Sequence, residues 1–128
     1  MPKQILTSDK APKPIGPYSQ AVKAGSFIFL SGQVALNPAT GKIEDSDVRS
    51  QTRRILENAK GLLESNGYSL KDVVKAVVYL TKPEHFQEMN EVYREYFVDM
   101  PPARTTVVVA LPLKDALVEI DLIAYAEK

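Results

Sequence analysis

Apolar and polar residues alternate along this chain with two different periods, and the change of period marks the elements. Phe27 to Val34 is apolar on both alternating faces, with Phe27 and Phe29 on one and Ile28, Leu30 and Val34 on the other, which predicts a buried strand. A short strand precedes it at about 19–23 and ends at the turn-forming Ala24-Gly25. Over 47–66 the period lengthens. Val48, Thr52, Ile55, Leu56, Ala59, Leu62 and Leu63 fall on one side at helical spacing. Ser46 or Asp47 can cap the first turn of this helix, and Asn66-Gly67 supplies a left-handed stop. Val73 to Leu80 reads as a valine-rich strand. Pro83 suits a first helical turn, where its missing N–H removes no bond, and an apolar stripe of Phe86, Met89, Tyr93, Tyr96 and Phe97 runs on to about 97. Two last strands are expected at about 104–111 and 118–126, parted by Pro112-Leu113-Lys114-Asp115. Residues 1–16 hold Pro2, Pro12, Pro14 and Gly16 and read as an extended arm, while 37–41 and 99–102 read as loops.

The order is β-β-α-β-α-β-β in a chain of 128 residues, enough for one domain, 1–128, with one core. Strands with two crossover helices predict an α+β fold, mostly a single sheet with both helices on one face. The strand at 104–111 is apolar on both sides, with Val107, Val109 and Leu111 on one and Val108 and Ala110 on the other. Two helices cover only one face of a sheet. The other face must meet something, and a second copy of the chain is the simplest answer, so an oligomer is expected.

Composition narrows the chemistry. Sixteen basic and sixteen acidic residues give zero net charge, where a nucleic-acid binder shows a basic excess, so a nucleic-acid partner is not expected. The absence of cysteine excludes disulfides, thiolate metal sites and a cysteine nucleophile. His85 is the single histidine; it excludes any paired-histidine scheme, matches no metal-ligand spacing, and reads as a solvated residue at a helix start. Ser31-Gly32-Gln33 is not a phosphate loop. No apolar run approaches the ~20 residues of a membrane span, and Met1-Pro2-Lys3-Gln4 carries no signal-like run, so the expected location is cytoplasmic. Two charged residues stand out. Arg104, at the mouth of a valine strand after Met100-Pro101-Pro102-Ala103, offers a planar fork suited to a carboxylate. Glu119 lies inside a strand, on the face it shares with Asp121, Ile123 and Tyr125, and a partly dry carboxylate there can activate water. By the residues alone each is more often structural, Arg104 as an exposed loop residue and Glu119 as an outward-facing strand residue.

Five segments in order resemble the Rid (YjgF) family: Ala11 to Gln20 (APKPIGPYSQ), Phe29 to Gln33 (FLSGQ), Met89 to Tyr93 (MNEVY), Pro102 to Thr106 (PARTT) and Val118 to Asp121 (VEID). The resemblance implies a chorismate-mutase-like α+β fold, a homotrimer with a barrel-like core, and active-site clefts between subunits. It implies hydrolysis of 2-iminobutanoate and 2-iminopropanoate to 2-keto acids and ammonia, without cofactor or metal. It further implies that Arg104 binds the substrate carboxylate, that Glu119 handles the attacking water, that Tyr18 closes the site, that Gly32 allows close approach, and that Asn90 orients groups in the cleft.

Two positions depart from the family pattern. Thr106 stands where many members have cysteine, and it is expected to contribute through its backbone groups. Pro112 is displaced by one residue from the usual placement, which bears on the loop that shapes the cleft. Two other functions stay open: a trimer that binds small carboxylates without turnover, in the manner of a chaperone, and an endoribonuclease or translation inhibitor. The second has the least physical support at zero net charge.

Overall fold

Asp47 begins helix α1 (Val48–Ser65) by accepting a hydrogen bond from the Ser50 N–H at 2.8 Å. The helix stops at Asn66, and Gly67 follows at φ 86°, a backbone conformation natural to glycine. The computed structural model describes residues 2–127; Met1 and Lys128, the outermost residues of the expected arm and domain, lie outside the described residues. Six strands form one sheet: β1 (Gln4–Leu6), β2 (Ala21–Ala24), β3 (Phe27–Leu30), β4 (Val73–Leu80), β5 (Ala103–Val108) and β6 (Val118–Tyr125). Their order across the sheet is β1-β2-β3-β6-β4-β5. Neighbours are antiparallel except β4 and β5, whose parallel pairing needs a crossover, supplied by helix α2 (Phe86–Tyr96).

Burial alternates along the central strands. Ala76, Val78 and Leu80 of β4, with Val118, Ile120, Leu122 and Ala124 of β6, pack into one core under Ile55, Leu56, Ala59, Leu62 and Leu63 of α1 and Met89 and Tyr93 of α2. Val77, Tyr79, Glu119, Asp121, Ile123 and Tyr125 point the other way, with Phe27 and Phe29, onto a face that no helix covers. Phe27 is 42% and Phe29 43% exposed there, and the Tyr125 ring meets Phe27 edge-on at 5.0 Å. The uncovered face expected from the strand pattern is therefore present.

Several boundaries differ from the expectation. The arm contains a strand, β1, which pairs with β2 as Gln4↔Lys23, Ile5↔Val22 and Leu6↔Ala21. Buried Gln20 pins the arm beside it: its Nε2 donates to the Ser8, Ala11 and Pro12 carbonyls, and its Oε1 accepts from the Ser8 N–H. Strand β3 ends at Leu30 and not at Val34, because the chain leaves β2 and makes a single bridge, Gln33↔Ile120. Strand β5 ends at Val108, with Val109 N donating once more to the Leu80 carbonyl at 2.8 Å. Pro83 opens a 3-10 turn, Pro83–His85, and α2 proper begins at Phe86.

Candidate functional site

Arg104 sits on the helix-covered face. Its strand partner Ala76 is fully buried, and its guanidinium carbon lies 4.8 Å from the Tyr93 ring centroid and 5.7 Å from that of Phe86. Phe86, Asn90 and Tyr93 recur at helical spacing on α2, so one stripe of that helix looks down on β5. Thr106 follows Arg104 by two positions and shares its face. The polar groups of this cleft are unusually short of partners. Asn90 Oδ1, Tyr93 OH and Thr106 Oγ1 are buried with no hydrogen bond among the described residues. Native proteins leave few such atoms, and a cluster of them around an arginine fits a polar, anionic ligand. Burial pushes the Tyr93 hydroxyl pKa up, against the opposing pull of Arg104, which keeps it a donor.

His85 is not the solvated residue the sequence suggested. It is half-buried at the end of the 3-10 turn, and its Nδ1 is buried with no hydrogen bond among the described residues. Thr106 also presents a buried, partnerless hydroxyl beside the backbone groups through which it is expected to act.

Glu119 belongs to the opposite face. It stands across from Tyr79 in the β4–β6 pair, whereas Arg104 stands across from Ala76 on the far side of β4. The two residues are separated by two strand spacings and three residues along β4, roughly 14 Å at the backbone, and project in opposite directions. One small molecule cannot touch both within a single chain. Around Glu119 the neighbours are Asp121, Tyr79 and the backbone of Gly32. A Cβ on Gly32 would run into Glu119 Oε2 and lie 2.9 Å from Asp121 Oδ1, so only glycine admits the carboxylates here. Half-burial first, and the Asp121 charge second, push the Glu119 carboxyl above its ordinary pKa. Tyr18 borders the hollow beside Gly32 together with Pro12 and Lys13; its hydroxyl accepts from the Ile15 N–H at 3.2 Å.

The six residues singled out from sequence therefore fall into two half-sites. Arg104, Asn90 and Thr106 share the cleft between α2 and β5. Glu119, Gly32 and Tyr18 share the open face and its rim. Sequence reading missed Phe86 and Tyr93 beside Arg104, and Tyr79 and Asp121 beside Glu119. The alternation that put Asp121 on the Glu119 face was the available signal; Tyr93 and Phe86 were hidden in an apolar stripe that reads as core. No cluster of three or more metal-ligating side chains occurs among the described residues, and none of the helices is long and apolar enough to cross a membrane.

The family model described as endoribonuclease L-PSP matches residues 8–126. A RutC family protein of Pyrococcus horikoshii is 53% identical over 125 residues, 98% of this chain and 99% of its own length. A 2-iminobutanoate/2-iminopropanoate deaminase of Dermatophagoides farinae is 39% identical over 98% of both chains. Among solved structures, Escherichia coli TdcF with bound serine superposes with a TM-score of 0.90 at 40% identity, covering 96% of this chain and 98% of that one.

Proposed function

The chain belongs to the endoribonuclease L-PSP family, also called Rid or YjgF, and from that footing we propose that it hydrolyses 2-imino acids to 2-keto acids and ammonia at a site shared between copies. The observation that carries the reading is the split of the site. One half offers an arginine among partnerless polar groups, the other a carboxylate with raised proton affinity, and both point away from each other in one chain. A neighbour that covers the open face, in a trimer, brings its own Arg104 cleft to Glu119. The relative named as an imino acid deaminase and the neighbour holding an amino acid, serine, agree with a small carboxylate-bearing substrate.

In the proposed reaction Arg104 grips the substrate carboxylate with two N–H groups, and Asn90 and Thr106 fix its orientation. The protonated imine is already electrophilic. Glu119, ionised, takes a proton from water as the oxygen attacks C2, and the C=N bond becomes a C–N bond. Glu119 then returns that proton to nitrogen. As the C–N bond breaks, the hydroxyl of the adduct gives its proton to Glu119 and becomes the carbonyl; the departing ammonia takes that proton and leaves as ammonium with the 2-keto acid, and Glu119 is ionised again. Water supplies both the oxygen and the protons, so the balance needs no cofactor or metal. Tyr18 closes the site over the substrate, and Gly32 leaves room for it. The setting proposed is the cytoplasm, beside the pyridoxal-phosphate enzymes that release such imines.

Coupling to a threonine dehydratase tests this, with semicarbazide trapping of the short-lived imino acid as the readout. Wild type should lower the trapped fraction. Arg104→Ala should lose ~30- to 1,000-fold in kcat/KM, the equivalent of ~2–4 kcal/mol for a charge-assisted fork and the carboxylate left unpaired. Glu119→Ala should lose about 100-fold, the lower end for a general base acting on a reactive electrophile. Wild type that leaves trapping unchanged across several imino acids would sink the reading, and carboxylate binding without turnover would replace it.

A further inference from the structure

Beside Glu119 stands a second carboxylate that the reaction above does not use. Glu119 and Asp121 are two residues apart on β6 and project from the same face, and both lean over Gly32. Their surroundings differ. Asp121 Oδ2 accepts from the Tyr79 hydroxyl at 2.6 Å, while Glu119 is half-buried and receives no such donor among the described residues. Two lysines and a second tyrosine also face this corner. Lys75 shares the face of Tyr79 on β4 and gives its Nζ to Thr105 Oγ1 at 3.0 Å; Lys13 and Tyr18 line the hollow beside Gly32. Neither lysine is ion-paired with Glu119 or Asp121 among the described residues.

A donor hydroxyl fixes the position of the carboxylate it serves, and a fixed negative charge raises the proton affinity of its neighbour. We propose that Tyr79 and Asp121 are positioning residues for the acid–base step: the Tyr79 hydroxyl anchors the Asp121 carboxylate beside Glu119, Asp121 is the fixed charge, and Glu119 is the member of the pair that takes and returns the proton. Asp121 touches neither substrate nor water in this assignment and acts only through Glu119. The Tyr79 hydroxyl, pushed up to about 12 chiefly by its bond to Asp121, stays a donor across the working range. Burial and the Asp121 charge act on Glu119 in the direction the assignment requires.

This inference deepens the deaminase reading, and its test separates the two. The Glu119 carboxyl is followed by carbon-13 NMR across pH in assembled wild type, Asp121→Asn and Tyr79→Phe, and the acid limb of kcat/KM is measured on the same three. The Glu119 midpoint should move to lower pH in both variants, further in Asp121→Asn. The acid limb should move with it, so that each variant keeps a larger share of its plateau rate on the acid side than wild type does. Asp121→Glu, which keeps the charge, should restore the wild-type midpoint. A midpoint unmoved in Asp121→Asn, with kcat/KM reduced equally at every pH, would overturn the assignment. If Asp121→Asn fails to assemble, Tyr79→Phe carries the same test with the same two outcomes. If wild type shows no turnover while the midpoint still moves, the deaminase reading falls and the coupling stands.

Discussion

Burial and the adjacent Asp121 charge make the folded chain bind a proton at Glu119 more readily than the unfolded chain does. Stability therefore falls as pH rises from the ordinary carboxylate range through the raised native value, and ionised Glu119 is a standing penalty above it. Glu119→Gln should for that reason raise the urea midpoint at pH 7 while losing most of its turnover. The gap between variant and wild type should close at acid pH, where the carboxyl is neutral in both states; both are compared at one chain concentration, because the stability of an associating protein depends on it. An unchanged midpoint at pH 7 would show that Glu119 is better solvated than its setting implies. Gly32→Ala tests the same corner sterically. The new Cβ displaces the Glu119 carboxylate, and a shift of about 1 Å at a reacting group should lower kcat/KM about 100-fold with the circular dichroism spectrum unchanged. Much of this was legible from sequence as residue identities: Arg104 and Glu119 as charged residues on apolar strands, Gly32 as a close approach. Their division between two faces was not. Alternation fixes which residues of one strand share a face, but the phase between strands depends on pairings such as Ala76↔Arg104 and Tyr79↔Glu119, which no local pattern encodes.

Elements are held in place by a few buried amides as much as by apolar faces. Gln51 of α1 is 1% exposed; its Nε2 donates to the Asp45 and Asp115 carbonyls, and its Oε1 accepts from Leu117 N–H at the entry to β6. Replacing it with leucine strands three backbone groups, and Gln51→Leu should cost about 3 kcal/mol, read from chemical denaturation. Asp47→Ala, which removes the α1 cap from a solvated helix end, should cost about 1 kcal/mol and leave turnover intact. A larger loss from the cap than from Gln51 would reverse the ranking. Both helices and strands β3 to β6 were readable from hydrophobic period because each carries its own repeat, and β2 from the turn that ends it. Strand β1 was not, since three residues within a proline-rich arm make no repeat, and its place is set from afar by Gln20. The 3-10 turn ahead of α2 escaped for a similar reason: Pro83 is compatible with either helix type, and the half-burial of His85 depends on what packs against it.

At the scale of the whole molecule the decisive feature is the uncovered sheet face, with its aromatic patch of Phe27, Phe29 and Tyr125. Apolar patches of this kind on a small chain mark contact with another protein surface. Phe29→Glu places a charge in the patch and should yield a folded but dissociated chain in analytical ultracentrifugation, with turnover lost along with the assembly. A single chain that sediments alone as wild type would remove the basis for shared sites. The placement of Arg104 and Glu119 on opposite faces has a further consequence, and it concerns mixtures. Arg104→Ala and Glu119→Ala are each expected to lose most of their turnover, yet each keeps the half that the other lacks. When the two are unfolded together and refolded at equal amounts, random association restores an intact pairing at about one site in four, whatever the number of chains in the ring. Two crippled preparations should thus produce an active one, and a population carrying both defects on separate copies would be less impaired than a population carrying either alone.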